Sequence, residues 1–80
     1  MSDEGEILKL RVLLAFYQMD KESCTVMNIS RMLGEEHYVI SRLISGLEKE
    51  GLIKKEAPRK PVLTEKGLKE AKRYANRMEL

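Results

Sequence analysis

Between residues 6 and 19 the apolar positions Ile7, Leu10, Leu14 and Tyr17 recur at steps of three and four, which predicts a helix over Glu6–Met19. Leu8, Val12, Leu13 and Phe16 lie off that stripe, so this helix is apolar nearly all round. A surface helix needs one buried face, and the surplus predicts contact with a second element or a second subunit. The polar segment Asp20–Ser23 ends the pattern, and Ser23 or Thr25 is placed to cap the next helix by accepting a backbone N–H. That helix is expected over Val26–Leu33, with Val26, Ile29, Met32 and Leu33 toward the core. Gly34 supplies the left-handed residue that ends it.

A third helix, Glu35–Glu50, has Ile40, Leu43, Ile44 and Leu47 on one stripe and leaves His37, Tyr38, Ser41, Arg42 and Ser45 on other faces, with Gly51 stopping it. Two helices joined by a tight glycine-containing turn form a helix-turn-helix pattern. The period then shortens. Leu52–Glu56 and Pro61–Leu63 read as two strands joined by a turn over Ala57–Lys60, in which Pro58 pre-sets the backbone. So short a hairpin must lean on the helices. Thr64 can cap a last helix with Glu65 in its first turn, and Leu68, Ala71, Ala75 and Met78, widened by Tyr74, form a seam along it. The fold class expected is α+β and mostly helical: a winged helix-turn-helix with a three-helix core, a small β-hairpin wing and a C-terminal helix. It fills one domain, 1–80, with residues 1–5 as a flexible N-terminus and 65–80 as the last helix.

Eighty residues are near the size at which a single core contributes only about 3–5 kcal/mol, which favours oligomerisation. A homodimer is expected through the first and last helices, using Leu8, Val12, Leu68, Ala71, Tyr74, Ala75 and Met78. The net charge of +2 conceals an asymmetry: residues 1–40 carry four Lys/Arg against seven Asp/Glu, and residues 41–80 carry eleven against six. The halves stand at −3 and +5, and the basic half points to a polyanion. With Cys24 the only cysteine and His37 the only histidine, neither a disulfide nor a zinc site is expected. No cofactor is indicated. The sequence has no nucleophile motif, no phosphate-cradling glycine loop and no paired acid/base carboxylates, so it does not read as an enzyme. The acidic start and the absence of an apolar run of about 18 residues predict a cytoplasmic protein with no membrane segment.

A helix laid in a major groove needs short polar side chains near its start and cations beside the phosphates. His37, Tyr38, Ser41 and Arg42 occupy the first two turns of the third helix, and Ser45 follows on the same side. Arg42 leads as a base reader, because its guanidinium can pair with both guanine acceptors. Glu35 and Glu36 are read as first-turn residues complementing the helix dipole. Lys54, Lys55, Arg59 and Lys60, opposed only by Glu56, are assigned to the DNA backbone, by phosphate contact, or to the minor groove. Thr25 and Asn28 are candidates for positioning contacts at the second helix start.

The run SRLISGLEKEGLIKK, followed by a turn and LTEKG, resembles the recognition helix, wing and next helix start of MarR-type winged helix-turn-helix regulators. The likeness covers roughly residues 25–67. It implies a dimer that binds double-stranded DNA and represses transcription. Two features depart from the family pattern. The wing lacks the Asp-x-Arg element, and only one helix follows it where relatives use several for dimerisation and ligand binding, so no small-molecule effector is indicated. The other reading is a winged helix that binds a protein and not DNA; salt-sensitive affinity for duplex separates the two. RNA is disfavoured by the scarcity of aromatic residues for base stacking.

Overall fold

The computed structural model describes residues 4–57 and 60–77. Its elements run α1 (Glu4–Gln18), α2 (Val26–Leu33), α3 (His37–Lys49), β1 (Ile53–Ala57), β2 (Lys60–Leu63) and α4 (Glu65–Arg77), the order and kinds expected of a winged helix. The tip of the expected turn, Pro58–Arg59, and the expected seam residue Met78 lie outside the described residues.

Helix α1 is the hub of the core and packs against α2, α3, α4 and β2. That position explains its apolar character: Val12, Leu13, Leu14, Ala15 and Phe16 are consecutive and all buried. The stripe expected from Ile7, Leu10, Leu14 and Tyr17 is therefore corrected. Ile7 is 53% exposed and Tyr17 36%, because the buried zone wraps around the second half of the helix and leaves its start open. The helix also begins at Glu4, two residues earlier than expected, so Gly5 is helical.

Helix α2 has the expected bounds. Thr25, in an extended conformation, caps it by accepting the Asn28 N–H on Oγ1 at 3.1 Å. Gly34, at φ 69°, ends it, and both Gly34 and Glu35 donate N–H to the Ser30 carbonyl. Ile29 is fully buried, whereas Met32, expected in the core, is 51% exposed on the outer side.

Helix α3 starts at His37 and not at Glu35. Glu36 is its extended cap residue and makes no side-chain cap bond, so no carboxylate lies in the first turn as had been expected. Ile40, Ile44 and Leu47 are buried and Leu43 partly so. The helix closes in a Schellman motif: Gly51, at φ 79°, donates to Glu48 O at 3.0 Å and Leu52 to Leu47 O at 2.9 Å. Leu52 and Leu47 meet in the same core cluster, as that motif favours.

The hairpin is a two-stranded antiparallel sheet pairing Ile53 with Leu63, Lys54 with Val62, Lys55 with Pro61 and Ala57 with Lys60, with a register shift at Glu56. Its first strand lies one residue later than expected, because Leu52 completes the helix cap. Thr64 then joins three segments. Its N–H donates to Leu52 O at 3.0 Å, its hydroxyl donates to Gly51 O at 2.6 Å, and the same oxygen accepts the Gly67 N–H at 3.0 Å. Lys66 Nζ adds a bond to Glu50 O at 3.2 Å, and Lys9 of α1 pairs with the Glu50 carboxylate. The end of α3, both ends of the hairpin and the start of α4 thus form one hydrogen-bonded knot.

Candidate nucleic-acid interface

Because α3 buries Ile40, Ile44 and Leu47, its remaining residues sort themselves by helical angle. Tyr38, Arg42, Ser45 and Lys49 recur at steps of four, three and four along its outermost ridge, and all are exposed. Lys49 was not singled out in the sequence, although that spacing contains it. His37 and Ser41 lie one position around, toward α2 and the hairpin.

Those two residues help line a groove of about 540 Å³ whose walls are Thr25, Val26 and Met27 of the α2 start, His37, Ser41, Ile44 and Ser45 of α3, and Lys55 and Pro61 of the hairpin. The structure therefore brings together five expected residues from three elements: Thr25, His37, Ser41, Ser45 and Lys55. Arg42 and Tyr38 stand beside the groove on the ridge. Met27, 54% exposed, is a groove residue that sequence reasoning passed over, since a methionine near a helix start reads as core filler.

The two residues at the start of α2 differ in what they can offer. Asn28 is half-buried and its amide donates to Ser23 O at 2.8 Å, so the side chain is already engaged in shaping the loop. Thr25 accepts the cap bond, but its hydroxyl proton remains available to a phosphate at the groove wall.

The wing does not gather its cations into one patch. Neighbouring strand residues point to opposite faces, so Lys55 shares the groove face with its partner Pro61 while Lys54 shares the other face with Val62. Glu56 pairs at 3.6 Å with Lys21 of the loop before α2, which draws its charge away from the groove. Among the described residues Arg42, Lys54, Lys55 and Lys60 form no ion pair, and all four are exposed. Arg59 lies outside the described residues.

Cys24 is buried, 5% exposed, and its thiol is pushed up to about 11 by burial. A protonated thiol is a poor nucleophile, so Cys24 acts as core filler. Among the described residues no cluster of three potential metal ligands occurs, and no helix is long and apolar enough to cross a membrane.

The residues expected at a subunit contact divide in two. Val12, Ala71 and Ala75 are 0%, 0% and 4% exposed and form part of the single chain's own core, because small alanines let α4 approach α1 closely. Leu8 and Tyr74 are half-buried and Leu68 is 47% exposed, so these three remain within reach of a partner.

A cation-flanked groove beside the exposed ridge of a second helix is the arrangement of a winged helix-turn-helix. Compared with known families, residues 6–61 match the model of the MarR family. No curated protein and no solved structure matches the chain.

Proposed function

Because the chain belongs to the MarR family, and is thus a transcriptional regulator of the winged-helix type, we propose that it binds double-stranded DNA in a sequence-specific manner and represses transcription. Helix α3 enters the major groove, with Arg42 reading guanine and Tyr38, His37, Ser41 and Ser45 lying against neighbouring base edges. Lys55 and Thr25 hold the flanking phosphates, and Lys49 follows the backbone at the far end of the ridge. The observation that carries this reading is the groove shared by α2, α3 and the hairpin, in which Thr25, His37, Ser41, Ser45 and Lys55 converge. Repression follows if the occupied site overlaps a promoter.

In this reading the protein acts as a homodimer. Two copies joined near Leu8, Leu68 and Tyr74 would present their recognition helices to half-sites about 10–10.5 base pairs apart, or a multiple, on a palindromic target.

The test is titration of a labelled random-sequence duplex at low and near-physiological salt with the wild type and a Lys49→Ala/Lys55→Ala variant. Steeply salt-dependent binding that weakens in the variant is the expected result. Absence of binding even at low salt would discard the DNA reading in favour of a protein-binding winged helix.

A further inference from the structure

Helix α4 carries a second cationic surface that the recognition groove does not use. Lys66, Lys69, Arg73 and Arg77 recur at steps of three, four and four on its outer face, with Lys72 beside them, and all five are exposed. Only Glu65 and Glu70 oppose them within the helix. Glu70 is held by Arg73 at 2.8 Å, and Lys66 is engaged with Glu50 O, whereas Lys69, Lys72 and Arg77 make no ion pair among the described residues.

We propose that this outer face of α4 is a second, sequence-independent phosphate-binding surface for duplex DNA, so that one molecule can hold two duplex segments. The inference goes beyond the recognition role proposed for α3.

Three arguments select this occupant. A second copy is excluded by charge, since a two-fold contact through this face would set Lys69 and Arg73 against their own counterparts. A folded protein partner fits poorly, because protein interfaces are depleted in lysine and centre on apolar or aromatic anchors. The apolar residues of α4 are elsewhere: Ala71 and Ala75 are buried, and Leu68 lines a small cavity with Phe16 and Met19. A phosphate backbone asks only for cations at regular spacing. From Lys66 to Arg77 the ridge extends about 16 Å, comparable to roughly five successive phosphates of one strand.

The two surfaces are also separate. Helices α3 and α4 both bury their apolar stripes against α1, through Ile40, Ile44 and Leu47 in one and Ala71 and Ala75 in the other. Their polar faces therefore look away from a shared core, and a duplex seated on α3 leaves the α4 ridge open.

The experiment immobilises a random-sequence duplex, loads it with protein at low salt, and adds a second, labelled duplex of unrelated sequence. Wild type is expected to retain the second duplex. A Lys69→Ala/Lys72→Ala/Arg77→Ala variant, loaded to the same level, is expected to retain it at least several-fold less and to show a shallower salt dependence of retention. Equal retention by the variant overturns the proposal, as does the absence of retention by wild type. Tighter, α4-dependent capture on immobilised oligoglutamate than on duplex also overturns it, in favour of an acidic polypeptide partner. If the protein fails to load on the first duplex, both readings fall; if it loads but a Lys49→Ala/Lys55→Ala variant loads equally well, it is the α3 reading alone that falls. Tethered protein exposed directly to labelled duplex gives the same separation: equal binding by wild type and the α4 variant, or none by wild type, overturns the α4 proposal.

Discussion

Gly67 and Gly46 show how much one missing methyl group can matter. A Cβ on Gly67 would lie 1.9 Å from Leu52 O, a backbone atom already fixed by its bond from Thr64, whereas a Cβ on Gly46 would meet nothing within 4 Å. Both are helical, so the same substitution is expected to act in opposite directions. Gly67→Ala should cost on the order of 3 kcal/mol through steric displacement of the backbone. Gly46→Ala should add about 0.5–1 kcal/mol by restricting the unfolded chain. Midpoints of urea unfolding would read both. Cys24 makes a separate prediction. Its folded pKa of about 11 exceeds the ordinary value of 9.0, so the unfolded chain loses the proton first. Below pH 9 both states hold the proton and stability is unaffected; from pH 9 to about 11 stability should fall as pH rises. Thermal melts across that range should show the decline in wild type and a smaller one in Cys24→Ala. At the recognition ridge, Arg42→Ala should cost about 1–3 kcal/mol on a selected site and relax preference at one base pair, as read by competition between single-base variants of that site.

At the level of elements, the sequence made the helices legible because their ends are chemically marked: Thr25 and Gly34 bound α2, Gly51 ends α3, and Thr64 opens α4. The inner face of α3 was equally plain, since Ile40, Ile44 and Leu47 keep one period. Helix α1 was harder. Periodicity assumes a helix with one buried side, and α1 sits in the middle of four neighbours, so its stripe could not be separated from its surplus. The start of α3 slipped for a different reason: Glu35 and Glu36 have good helix chemistry, but the Glu35 N–H is drawn to Ser30 O at the close of α2. The wing's cations read as one cluster because a linear sequence hides the alternation of a strand. That alternation has a measurable consequence. Lys55→Ala, on the groove face, should weaken binding to every duplex and flatten the salt slope by about one unit, whereas Lys54→Ala should change the slope much less. Binding isotherms over a salt series would distinguish the two.

For the whole molecule, the apolar surface left outside the core decides whether two copies associate. Of the residues expected at a subunit contact, Leu8, Leu68 and Tyr74 remain once Val12, Ala71 and Ala75 have joined the interior, and Ile7, Tyr17 and Met32 are exposed besides. Light scattering is expected to report a dimer for wild type, and Leu68→Lys is expected to shift it toward monomer with the fold retained by circular dichroism. The bond from Thr64 N–H to Leu52 O has a different kind of consequence. It ties together the residues on either side of the hairpin, so the strands between them are a closed detour whose mouth is fixed independently of its length. Extra residues grafted at the far tip should leave the helices undisturbed, with a loop-closure penalty of only about 0.6 kcal/mol for each doubling. The reach of this arm is therefore an adjustable dimension of the scaffold, open to exchange between relatives or to deliberate lengthening, while the body that carries it stays the same.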